Sequence, residues 1–113
     1  MVKIYHNNRC GKSREALKML EDKSIEHEVV DYMNVPLTQD DLEDVLEKLD
    51  MDAEELVRTK EADWKENFKD KELDEAEVIL AMIEYPKLME RPIIVNGENA
   101  VVARPAEKMN EIL

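Results

Sequence analysis

The first third of the chain reads strand, helix, strand, a βαβ order that a purely helical fold cannot accommodate. Val2 to His6 is a short apolar run. Ser13 to Lys23 follows with helical spacing, Leu17 and Leu20 on one face, and Glu28 to Tyr32 reads as the second strand. Asn34 to Leu37 breaks the pattern, because Pro36 forbids continuation. Thr38-Gln39-Asp40-Asp41 resembles a capping box that opens a helix through Leu49, with Leu42, Val45, Leu46 and Leu49 as its buried stripe. Short helical pieces are expected around Ala53 to Val57 and Trp64 to Phe68. A longer one runs from Asp74 to about Glu84, with Val78, Ile79, Met82 and Ile83 inward, and Tyr85-Pro86 ends it. Ile93-Ile94-Val95, the turn Asn96-Gly97-Glu98-Asn99 and Ala100-Val101-Val102 read as an antiparallel hairpin. Pro105 opens a terminal helix to Leu113.

The fold class expected from this order is α/β: a mixed four-stranded sheet, βαβ then ββα, with a helical insertion. The whole chain, residues 1–113, reads as a single domain whose core spans about 1–36 and 86–113 and whose insertion spans about 37–85. Lys3 and His6 interrupt the only apolar stretch near the N-terminus, so it does not resemble a signal peptide. No apolar run approaches the roughly 20 residues of a membrane span. A cytoplasmic protein acting as a monomer is the expectation, and its lone cysteine cannot form an internal disulfide.

Acidic residues outnumber basic ones 28 to 16, for a formal charge of −12. Such a molecule repels nucleic acid and anionic membranes, so neither is expected as a partner, and an anionic ligand must be drawn in locally. The acidic run from Asp40 to Glu55 reads as a solvated helical surface. Arg9, Lys12, Arg14, Arg58, Arg91 and Arg104 are the cations beside motif-like positions, and proline follows both Arg91 and Arg104.

Cys10 lies between the first strand and the first helix. A thiol on that loop meets free backbone N–H groups and the positive end of the helix dipole, both of which favour thiolate. A lone cysteine taken by itself is more often an inert buried residue. The position of Cys10 at the mouth of a βα unit, with cations on both sides, favours the nucleophile. Ser13 offers a hydroxyl three residues on, and His6 ends the strand four residues before. His27 is read as a surface histidine. Gly11-Lys12-Ser13 copies the tail of a phosphate-binding P-loop, but His6 stands where that motif requires glycine. One cysteine and two scattered histidines fall short of a zinc set, so no metal site is expected. No nucleophile-elbow sequence is present for a serine hydrolase.

Four ordered motifs, Tyr5-His6-Asn7-Asn8-Arg9-Cys10-Gly11-Lys12-Ser13-Arg14, Glu55-Leu56-Val57-Arg58, Leu88-Met89-Glu90-Arg91-Pro92-Ile93-Ile94-Val95 and Ala103-Arg104-Pro105, together resemble the ArsC family of glutathione- and glutaredoxin-dependent arsenate reductases. The resemblance covers essentially the whole chain. It implies a thioredoxin-like fold in which Cys10 attacks arsenate, His6 assists its activation and Ser13 supplies the hydroxyl near the thiolate. It further implies that Arg58, Arg91 and Arg104 hold the oxyanion and that Pro92 is cis. Glutathione would be the co-substrate and glutaredoxin the protein partner, with no tightly bound cofactor. The family motif commonly has proline where Asn8 stands. The same superfamily includes Spx-like regulators that bind RNA polymerase, which often carry a Cys-x-x-Cys switch; Ser13 occupies the second position of that switch here. A thiol oxidoreductase acting on another substrate is the remaining alternative.

Overall fold

The computed structural model describes all residues 1–113. They divide into two compact units, one formed by residues 1–35 and 91–113, the other by residues 36–90.

The first unit is a four-stranded sheet. β1 (Val2–Tyr5) leads through α1 (Gly11–Asp22) to β2 (His27–Val30); β3 (Ile93–Asn96) and β4 (Asn99–Val102) form the hairpin. The sheet order is β2-β1-β3-β4, with β1 and β2 parallel and the other two pairings antiparallel. The hairpin closes with Gly97 and Glu98 between the paired Asn96 and Asn99, and Gly97 takes a positive φ of 63°. Glycine reaches that region without a Cβ clash, as a two-residue hairpin turn requires.

Side chains alternate across the pleat. Val2 and Ile4 of β1 and Ile94 of β3 cluster with Ala16 and Leu20 of α1 and with Ala103, Ala106 and Met109 of the C-terminal segment. Leu17, expected beside Leu20, is only partly buried; Ser13 and Ala16 complete the inward stripe instead. A hydroxyl therefore sits in the first turn of the buried face, directly after the loop that ends at Cys10. The terminal helix expected from Pro105 to Leu113 forms, in a shorter and tighter shape. Ala106–Glu111 is a 3-10 helix with Pro105 as its N-cap, because its backbone bonds close over three residues rather than four.

The second unit contains α2 (Gln39–Leu49), α3 (Ala53–Leu56), α4 (Ala62–Asn67) and α5 (Glu75–Glu84). Thr38 and Asp41 form a reciprocal capping box at α2, and Asp74 and Glu77 form a second one at α5. Leu42, Val45 and Leu46 are buried on α2, and Val78, Ile79, Ala81 and Met82 on α5, while Leu49 and Ile83 sit at the half-buried margin. Leu56 to Arg58 run beside Leu88 to Glu90: Val57 bridges Met89, the Arg58 N–H donates to the Leu88 carbonyl at 2.7 Å, and the Glu90 N–H donates to the Leu56 carbonyl at 2.9 Å. No helix is long and apolar enough to cross a membrane.

Candidate active site

Register places the candidate residues of the first unit. β1 and β2 run in one direction, and β3 and β4 pair so that Tyr5 opposes Ile93 and Ile93 opposes Val102. The C-terminal ends of β1, β2 and β4 and the N-terminal end of β3 therefore meet at one edge. His6 to Cys10, Asp31, Arg91 and Arg104 all leave the sheet there. Hydrogen bonds tie the segments together: the His6 N–H donates to the Val30 carbonyl at 3.0 Å and the Ala103 N–H to the Pro92 carbonyl at 2.8 Å. The Arg91-Pro92 peptide is cis, as is Arg104-Pro105.

Cys10 is the N-cap of α1 and is buried. Burial opposes the charged thiolate, yet the net displacement of its pKa is downward. The backbone N–H of Ser13, the charge of Arg91, the N–H of Lys12 and a hydrogen bond from the Arg91 side chain together outweigh desolvation. The helix start that presents these amides thus acts directly on the sulfur.

Arg91 is the second member of the pair. Its Nε and Nη1 are buried and have no hydrogen-bond partner in the protein. Two buried guanidinium donors left in this state cost free energy unless an acceptor meets them. Arg91 thus reaches Cys10 through a side-chain hydrogen bond while its Nε and Nη1 stay without a partner in the protein.

The loop before Cys10 is braced on three sides. The Asn7 side chain accepts the Arg9 N–H at 3.0 Å, an Asx turn, while the Asn7 carbonyl accepts the Cys10 N–H at 3.0 Å. The Asn7 N–H reaches Ser13 Oγ at 3.4 Å. Arg14 donates from Nη1 to the Asn8 carbonyl at 2.9 Å, securing the loop at the position where Asn8 stands. Sequence reasoning gave Asn7 no role and read Arg14 only as a cation near the thiol, not as a brace of the loop; an asparagine two residues before a backbone amide in a strand-to-helix loop is the signal for the first. The bracing role of Arg14 leaves no sequence signal, because its acceptor is a backbone carbonyl.

His6 follows β1 and is buried, with Nδ1 unpartnered. Desolvation lowers its pKa most, against the raising charge of Asp31; Arg14 lowers it further, and a backbone hydrogen bond at Ser13 raises it. The net shift is downward, so the imidazole is held neutral. Arg104 lies two residues beyond β4 at the same sheet edge. Arg58 belongs to the other unit, where its Nη1 meets Glu61 Oε1 at 2.8 Å. No group of three or more His, Cys, Asp or Glu side chains is placed to hold a metal ion.

Comparison with known proteins agrees with this arrangement. Residues 5–112 match the ArsC family. The chain is 48% identical to the uncharacterized protein YfgD of Escherichia coli K12, over 99% of this chain and 96% of that one. It is 39% identical to the arsenate reductase of Haemophilus influenzae, over 99% and 98% of the two chains. The solved structure of an arsenate reductase from Vibrio cholerae superposes with a TM-score of 0.94 at 38% identity, covering 99% of this chain and 97% of that one. The βαβ…ββα sheet is the thioredoxin-like arrangement these neighbours share, and the chain belongs to the ArsC family.

Proposed function

We propose that this protein is an arsenate reductase with Cys10 as its nucleophile. The observation that carries the reading is Arg91, which stabilises the Cys10 thiolate while two of its own buried donors lack a partner. A tetrahedral oxyanion beside the sulfur satisfies both demands, since it accepts a guanidinium fork and presents its central atom to the thiolate. Relatives that bear the name arsenate reductase, from Haemophilus influenzae and Neisseria meningitidis, support the same substrate.

In this reading His6, neutral through burial, takes the thiol proton, and the Cys10 thiolate attacks arsenic(V). An As–S bond forms and an arsenic-bound hydroxyl leaves as water with a proton. The thiolate of glutathione then attacks the Cys10 sulfur. The As–S electron pair stays with arsenic, which departs as arsenite in the +3 state, and Cys10 is left as a mixed disulfide. Glutaredoxin attacks the glutathionyl sulfur and frees Cys10. Two thiols are oxidised to one disulfide for each arsenate reduced, and the second thiol must come from outside a chain with one cysteine. Ser13 steadies the loop through Asn7, and Arg104 and Arg58 are the other two arginines assigned to the anion. The protein works as a cytoplasmic monomer in this scheme.

The test is arsenite production from arsenate with glutathione and glutaredoxin, run beside a thioredoxin system, for the wild type and Cys10→Ser. Turnover with the first system that vanishes in the variant is expected. Turnover with thioredoxin alone overturns the reductant assignment but not the substrate. No arsenite from folded wild type with either system overturns the reductase reading.

A further inference from the structure

The net negative charge of this protein lies in one of its two units. Residues 36–90 contain nineteen acidic and seven basic residues and so carry the full −12, whereas residues 1–35 and 91–113 contain nine of each. Charge serving general solubility has no reason to avoid half the molecule; charge serving a partner does.

Two clefts in the acidic unit meet at Leu46. The first, about 390 Å³, lies between α2 and α5 and is lined by Leu46, Ala76 and Ile79 with Glu43 and Glu75 at its margins. Ala76 and Leu80 are one helical turn apart on α5, and Leu80 is 51% exposed, so the apolar surface continues beyond the cleft. The second, about 280 Å³, is lined by Leu46 and Met51 with Glu47, Asp50, Asp52 and Glu55. None of these four carboxylates forms a salt bridge, and the nearby Lys48 is already engaged by Asp44 at 2.9 Å. They do not converge on a metal-binding geometry. Their arrangement suits several separate cations along a chain rather than one ion.

We infer that the two clefts form one docking groove for a cationic amphipathic helix of another protein. Aliphatic side chains spaced by three and four residues pack on the exposed Ala76 and Leu80, above the α2–α5 cleft whose floor is the buried Leu46 and Ile79. Lysine or arginine side chains on the flank of that helix lie over Glu47, Asp50, Asp52 and Glu55. Charge complementarity selects this occupant: a second copy of the chain offers only an acidic unit or one with no net charge, and nucleic acid and anionic membranes are repelled. The groove takes no part in the Cys10 chemistry, so the inference stands or falls independently of the substrate.

The probe is a fluorescein-labelled helical peptide of leucine and lysine in amphipathic order, titrated against the full-length protein by anisotropy. A scrambled peptide of equal composition and a glutamate-for-lysine version are the controls. The amphipathic cationic peptide is expected to bind about tenfold or more tightly than either. Glu47→Lys/Glu55→Lys is expected to weaken it by about tenfold, against less than about threefold for Glu66→Lys/Glu72→Lys, which has the same net charge but lies outside both clefts. Ala76→Glu is expected to weaken binding despite adding attraction, because it blocks the apolar half. On the wild type, NMR shifts of Leu46, Ile79 and Leu80 are expected to move. Equal weakening by the two double variants, equal binding of the scrambled peptide, or shift changes centred on residues 1–35 overturns the inference. So does a dimer, seen by sedimentation, that Ala76→Glu dissociates.

Discussion

The carbonyl of Asn7 accepts the backbone N–H of Cys10 at 3.0 Å, so the residue that caps α1 is itself held by the turn preceding it. The Asn7 side chain closes that turn on Arg9. Asn7→Ala leaves the carbonyl in place and removes only the Asx turn. A loss of about 1 kcal/mol in urea unfolding is expected from the missing hydrogen bond. The Cys10 pKa is expected to rise as the loop loosens, as read by pH-dependent alkylation. An unchanged alkylation profile in a destabilised variant would limit Asn7 to a structural role.

Arg91→Ala separates function from stability. Its loss raises the Cys10 pKa toward the ordinary thiol value, because a charge and a hydrogen bond to the thiolate both vanish. The lowered pKa contributes stability that is fully present above the ordinary thiol pKa and is lost as pH falls through the folded value, and the variant forfeits part of it. It also discards two buried unpartnered donors, which are costly in the wild type. Near neutral pH the thermal midpoint is therefore expected to be unchanged or higher, while arsenate turnover falls about 100-fold or more. A folded variant with wild-type arsenate kinetics would remove Arg91 from the site.

His6 gives the protein a dependence on mild acid. Its folded pKa is lowered, so the unfolded chain binds the proton first. The resulting penalty is absent above the ordinary imidazole pKa and grows as pH falls below it toward the folded value. His6→Gln is expected to flatten the stability curve over that window. Parallel denaturation series between pH 8 and pH 5 provide the check, and identical slopes for the two proteins would contradict a buried neutral imidazole.

Asp74 tests the second unit. Its side chain accepts the Glu77 N–H at 2.8 Å, and Glu77 returns the bond to the Asp74 N–H at 3.1 Å. Asp74→Ala removes the cap at the start of α5, with an expected cost of about 1 kcal/mol in thermal unfolding. The Cys10 alkylation profile is expected to stay at its wild-type position.

The elements were legible because each leaves a local trace. The Thr38 to Asp41 box announced α2, the apolar alternation around Asn96-Gly97 announced the hairpin, and the β-to-α step placed Cys10 at a helix start. Element ends were less legible. β2 begins at His27 rather than Glu28 and stops at Val30, since strand limits follow the partner β1 and not the residue types. The C-terminal segment carries the proline and apolar spacing of an α-helix, yet its bonds close as 3-10, a distinction the spacing does not encode.

For the candidate site, one short stretch proposes Cys10, Ser13 and His6, and the motifs by their resemblance point to Arg91. What Arg91 does could not be read there, because it lies 81 positions beyond Cys10. The antiparallel pairing of β3 with β1 closes that gap by setting Ile93 opposite Tyr5. Burial then removes water from Nε and Nη1 without supplying an acceptor. By itself the sequence determined the helices, the strands and a thiol at a helix start, since periodicity, caps and turns are interactions among near neighbours. Only the tertiary structure decided which cation meets that thiol and which of its donors stay unpaired, since both follow from strand register and burial between distant residues.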